Sequence, residues 1–233
     1  MKRGPRLDLG AYVRAIPMLV RNPAMLLLPL LAAVVDLLIS AVTPLMTDPL
    51  GGLGASIFGL FVQIVYMFAF GVCVIYASGL LRGTRTSFDV AWDEARHKSG
   101  GIILAAIGFQ FIVYAAAYVG GILGAIGQYV LQLAAYFFLI LTIPAAAIGG
   151  LPGGLAISGS IRAVRANPIG SAVLAIVFVA LWIYLPIFVA QYAIGLTPIE
   201  YELVLAAVRA VLLAYLAFPF AALYEETAFR GRY

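Results

Sequence analysis

The chain has 233 residues, 64% of them hydrophobic and only 10% charged, and its mean hydropathy of +1.08 lies outside the range of soluble globular domains. A net charge of +4 does not point to nucleic acid, because the basic residues flank apolar stretches and form no basic face interleaved with aromatics. The single cysteine, Cys73, excludes an intramolecular disulfide framework, and the lack of alternating polar and apolar positions excludes a membrane β-barrel.

Met1-Lys2-Arg3 opens a basic arm. The apolar run beyond it is long enough to cross a bilayer and lacks a clear cleavage signal, so a retained first helix is expected rather than a signal peptide. Leu9–Arg21 reads as a short, charged, mildly amphipathic helix. The first span is predicted over Pro23–Met46, where Asn22-Pro23 supplies a cap and a proline at the first helical position. Gly51, Gly52 and Gly54 form a turn, and the second span follows over Leu53–Leu81.

Phe88–Lys98 is a second short helix, with Phe88, Trp92 and Ala95 at i, i+4 and i+7 giving one apolar face. Ser87 caps it, and Glu94 and Lys98 make a favourable i, i+4 pair. The third and fourth spans, Gly100–Ile126 and Gln128–Leu151, are so close that the chain must turn back tightly between them. Ile157–Arg165 is the third short helix. The fifth and sixth spans cover Gly170–Leu196 and Leu203–Tyr224. Each span reaches about 20 residues or more, the length that crosses a hydrocarbon core of roughly 30 Å.

All but one of the 14 Lys and Arg residues fall in four groups. The N-terminal arm carries Lys2, Arg3, Arg6, Arg14 and Arg21, and the next group is Arg82, Arg85, Arg96 and Lys98. Arg162 and Arg165 form the third, Arg230 and Arg232 the fourth. The intervening connections hold Asp48, no charge, and Glu200 with Glu202. Positive residues favour the cytoplasmic side, so the expected fold is a single all-α transmembrane domain over residues 1–233, six helices arranged as three hairpins, with both termini cytoplasmic. The strings Val20-Arg21-Asn22-Pro23 and Arg165-Ala166-Asn167-Pro168 suggest repeats of about 70 residues, each an amphipathic cytoplasmic helix followed by a hairpin.

Two charges break the pattern. Asp36 lies inside the first span and Arg209 inside the sixth, at matching depths on helices of 1.5 Å rise per residue. An unpaired charge in mid-bilayer costs on the order of 3 kcal/mol, so each needs a partner. Asp36, Ser40 and Thr43 share one face of the first span, Gln110, Tyr114 and Tyr118 share one face of the third, and Gln132 and Tyr136 share one of the fourth. The expectation is an Asp36–Arg209 pair across the first and last helices, lining a polar cavity that faces outward. Two alternatives stand beside it: Arg209 reaching outward to Glu202 with Asp36 protonated against Ser40, and an ion pair that only fixes helix register. Gly120 and Gly124 have the GxxxG spacing of a close helix crossing, and Pro144, Pro186 and Pro219 are expected to kink spans four, five and six.

The tail reads Glu225-Glu226-Thr227-Ala228-Phe229-Arg230-Gly231, which resembles the first motif of the CAAX-type intramembrane proteases. That resemblance implies metal-activated water held by glutamates together with histidines on later helices. The only histidine, His97, lies upstream, so neither catalytic residues nor a metal or other cofactor are expected. In layout, Arg21–Leu31 and Tyr224–Arg232 resemble the two ends of a loose bacterial group of six-helix membrane proteins. The group includes the membrane domain attached to some glycerophosphodiester phosphodiesterases. This likeness implies a bacterial cell-membrane location and no hydrolase activity, the phosphodiesterase catalytic domain being absent. The leading functional expectation is a non-enzymatic transporter, channel or lipid-handling protein using Asp36 and Arg209. A scaffold without transport is the alternative, and a relative of the intramembrane proteases the third. Membrane lipids, anionic at the cytoplasmic face, are the expected partners.

Overall fold

The computed structural model describes residues 9–50, 53–84, 86–192 and 195–229, all of them in helices or their connections, with no strand among the described residues. The helices are α1 Gly10–Arg21, α2 Leu27–Leu50, α3 Leu53–Leu81, α4 Phe88–His97, α5 Ser99–Ile122 and α6 Ala125–Leu139. They continue with α7 Thr142–Ala147, α8 Gly153–Ala166, α9 Pro168–Val179, α10 Leu185–Tyr192 and α11 Pro198–Phe229. Six helical stretches are long and apolar enough to cross a membrane: Pro23–Thr43, Ser56–Leu81, Ser99–Ile122, Ala125–Ala147, Pro168–Val189 and Ile199–Ala228.

α11 is the hub, touching α1, α2, α3 and α7 to α10. It packs through a seam of alanines, Ala210, Ala214, Ala217 and Ala221, all fully buried and spaced to fall on one face. Small residues let backbones approach closely, the packing that association between apolar helices depends on. The fifth long stretch is peripheral. Only 6% of its most apolar window is buried, against 56% for the sixth.

The two Asn-Pro strings adopt one conformation. Asn22 (φ −128°, ψ 63°) ends α1 and Asn167 (φ −142°, ψ 74°) ends α8, and a proline follows in each case, starting the 3-10 turn Pro23–Leu26 that leads into α2 and starting α9. The side chains then differ. Asn167 Oδ1 caps its helix by accepting from Gly170 N at 2.9 Å, whereas the Asn22 amide donates back to Met18 O at 2.8 Å. α1 presents an exposed stripe of Leu9, Val13, Ile16 and Val20, buries Ala11 and Ala15 against the bundle, and turns Arg14 and Arg21 to a third side. α4 is capped by Ser87 and carries the Glu94–Lys98 pair at 2.6 Å. Its Trp92 packs edge-on against Phe68 of α3.

Several boundaries move. The third and fourth long helices turn at Leu123-Gly124 rather than near residue 127, because Gly124 takes a φ of +92° that L side chains avoid. Of the two glycines at GxxxG spacing, Gly120 makes the close approach to α6, where a Cβ on it would lie 2.6 Å from Gly127 O, whereas one on Gly124 would meet nothing within 4 Å. The fourth stretch breaks at Ile140–Leu141, where Pro144 has no N–H to offer Ile140 O. α8 mends the break, since Ser160 Oγ accepts from Leu141 N at 3.0 Å and donates to Phe138 O at 2.8 Å. The fifth stretch carries a π-helical turn over Ala180–Tyr184, just ahead of Pro186. α11 runs through Pro219 without interruption and extends from Pro198 to Phe229. Its start is a capping box: Thr197 N donates to Glu200 Oε2 at 2.8 Å while Glu200 N reaches Thr197 Oγ1.

Candidate functional site

Three helices meet at one carboxylate. Arg209 Nη1 on α11 lies 2.7 Å from Asp36 Oδ2 on α2, and Tyr66 on α3 donates its hydroxyl to the same oxygen at 3.0 Å. Ala32 and Ala33 on α2 and Ala210 on α11 are buried beside the pair and leave room for the backbones to approach. The side chains are partly buried, Arg209 31% and Asp36 19% exposed. With apolar surroundings in place of water, each charge depends on the other for its stability.

Arg209 also forms part of the wall of a cavity of about 390 Å³. Gln63 and Tyr66 enter it from α3, Gln110 and Tyr114 from α5, Gln132 and Tyr136 from α6, and Trp182 from the π-helical turn. Each pair is three or four residues apart, which puts both members on one helix face. Gln110 is 6% exposed, and among the described residues its amide finds only the thioether of Met67, at 3.9 Å. A buried amide without a strong partner costs about 1–3 kcal/mol, a cost that a water in the cavity is enough to offset.

Trp182 stands within the π-helical turn and lines the cavity. Its ring stacks on Phe178 with centroids 6.2 Å apart and meets Tyr66 edge-on at 5.9 Å. Tyr66 is thus held at its ring by Trp182 and at its hydroxyl by Asp36.

Of the residues predicted from sequence, the structure brings Asp36, Arg209, Gln110, Tyr114, Gln132 and Tyr136 to this region, whereas Tyr118 is exposed and absent from the cavity wall. Ser40 is exposed and absent from the cavity wall, and Thr43 donates to Ile39 O of its own helix at 2.7 Å. The polar stripe of the first span therefore shrinks to Asp36. Arg209 bonds inward to Asp36, not outward to Glu202. Gln63, Tyr66 and Trp182 are additions. A lone amide at Gln63 with Tyr66 three positions on was the available signal for the first two.

The glutamate motif of the tail is engaged otherwise. The Glu225 carboxylate accepts from the hydroxyl of Ser78 and from Arg82 Nε at 3.0 Å, tying α11 to the end of α3. His97 sits exposed on α4, its Nδ1 2.7 Å from Asp93 O. Among the described residues no three His, Cys, Asp or Glu side chains converge, and Arg230 lies outside them. No family model, curated protein or solved structure compared with the chain matches it.

Proposed function

We propose that the chain is a non-enzymatic, multi-pass membrane protein that binds a polar solute, ion or lipid headgroup at the Asp36–Arg209 site as part of transport. The observation that carries this reading is the wall shared between an ion pair and a hydrogen-bonding cavity: Arg209 contributes to both. A pair serving packing alone needs no 390 Å³ space lined by three glutamines beside it. Charged residues inside apolar helices face pathways or binding sites by preference. The alternation of basic and non-basic connections supports three hairpins with both termini cytoplasmic, which puts the pair in the outer half of the bilayer. The six-helix bacterial group resembled at both ends of the chain is consistent with a cell-membrane location.

Water access from outside tests the site. In a Cys73→Ala background, Gln110→Cys in sealed, right-side-out vesicles is expected to react with a charged, membrane-impermeant thiosulfonate added externally. Reaction only from the cytoplasmic side, or none while Gln110→Cys in detergent reacts, overturns the reading.

One observation favours a scaffold without transport: the pair is closed, and Tyr66 occupies the same Asp36 oxygen as Arg209. The two readings separate on the double-neutral variant Asp36→Asn/Arg209→Gln. A scaffold keeps its fold and its assembly in that variant, whereas a transporter keeps the fold and loses flux of its solute.

A further inference from the structure

We infer that the ligand of this site is an amphiphile with an acceptor-rich, anionic head and a single alkyl chain, which enters sideways from the bilayer between the fourth and fifth long helices. The inference rests on the polar-site reading above and names its substrate class. Tyr136 is the residue that carries it. It walls the polar cavity, and it also walls a second space of about 450 Å³ between α6 and α9.

The second space is apolar. α9 offers it a face of small and branched residues, Ala172, Ala175, Ile176 and Val179, and α6 offers Leu133 and Phe137. α6 and α9 meet only along a short stretch, and the peripheral fifth helix stands off rather than sealing the gap. In lipid, an apolar crevice of this kind takes hydrocarbon, since water gains no partners there. An alkyl chain in the crevice has its polar end at Tyr136, at the threshold of the glutamine-lined cavity.

The head chemistry follows from the donors. Asp36 Oδ2 is already shared by Arg209 and Tyr66 and Asp36 is not part of the cavity wall, whereas Arg209 is. A guanidinium has five N–H donors, so the pair presents donors to the cavity, joined by the amide of Gln110. A carboxylate or phosphate head satisfies them; a cationic head meets the guanidinium unfavourably. Tyr136, packed between Phe109 at 5.9 Å and Phe178 at 6.1 Å, forms the partition the head must pass.

Trp182 lies on the polar cavity, and the chain has two tryptophans. Trp92→Phe therefore leaves a single reporter at the site. With this full-length protein in phosphatidylcholine vesicles, dibrominated stearate is expected to quench Trp182 saturably. Gln110→Leu is expected to raise the half-saturation about tenfold, and Ala175→Phe, which fills the crevice, to remove the saturable component. A neutral brominated hydrocarbon is expected to quench only in proportion to its content in the bilayer. The inference is overturned if stearate behaves like the hydrocarbon, or if Ala175→Phe leaves saturation unchanged while near-ultraviolet circular dichroism shows the variant folded. Should stearate fail while Gln110→Cys still reacts from outside, the polar-site reading stands and the amphiphile is excluded. If both fail, the site reading falls as well.

Discussion

Arg209 and Asp36, separated by 173 positions in sequence, share a 2.7 Å ion pair that joins the last long helix to the first. Asp36→Ala leaves the guanidinium without its carboxylate, and Arg209→Ala does the reverse. Each is expected to destabilise the folded protein by about 3 kcal/mol. The double variant is expected to recover about 1–3 kcal/mol of the summed loss, read from reversible unfolding in mixed micelles. Strict additivity would show that the two charges act independently.

Ser160 bridges the broken fourth helix by serving both Leu141 N and Phe138 O. Ser160→Ala strands a buried N–H, with an expected cost of about 1–3 kcal/mol. Amide exchange at Leu141 is the local readout. It should accelerate strongly in Ser160→Ala, while exchange in the middle of α3 changes only with global stability.

The turn between α5 and α6 offers a matched pair of substitutions. Gly120→Ala puts a methyl 2.6 Å from the Cα of Gln128 and forces the helices apart. An expected cost of about 1–3 kcal/mol follows. Gly121→Ala, one residue on, meets nothing within 4 Å and should be neutral or stabilise by up to about 1 kcal/mol. Equal effects of the two would refute the close approach.

The proposed orientation rests on the basic groups and is checked with reporters. Alkaline phosphatase, active only outside the cytoplasm, is expected to be active when fused after Asp48 and silent when fused after Lys98. The opposite pattern would invert the proposed topology and put the Asp36–Arg209 pair in the inner half of the bilayer.

The long helices were legible because apolar length alone predicts them. Capping was legible where the signal is local, as for Ser87 and Val90 N on α4, but the cap expected at Asn22 forms only at the matching Asn167, which accepts from Gly170 N, because the Asn22 amide turns back to Met18 O. The Thr197-x-x-Glu200 capping box is equally local, and it gives Glu200 a part beyond the charge it lends to its connection. Asp36 and Arg209 pointed to each other because each breaks a rule and needs the opposite sign. Tyr66 and Trp182 gave no comparable signal, since tyrosine and tryptophan are ordinary in apolar helices and only packing chooses which polar tip is used. Ser160 was hidden for a related reason, its role being set by a break in another helix. Ser40 and Thr43 illustrate the converse. Their spacing from Asp36, four and seven residues, is right for one face, but a rise of about 6 and 10 Å along the axis carries both hydroxyls away from a point contact.

The three-way contact at Asp36 also implies an order of events during synthesis, when N-terminal helices emerge first. The acid is committed long before its cation exists. Tyr66 follows it by 30 positions, Arg209 by 173, so the phenol is the earliest group able to shelter the carboxyl, and the guanidinium arrives as the last piece. On that schedule Tyr66→Phe harms the yield of inserted protein more than the stability of molecules that have already matured, because its hydroxyl matters most before Arg209 is made.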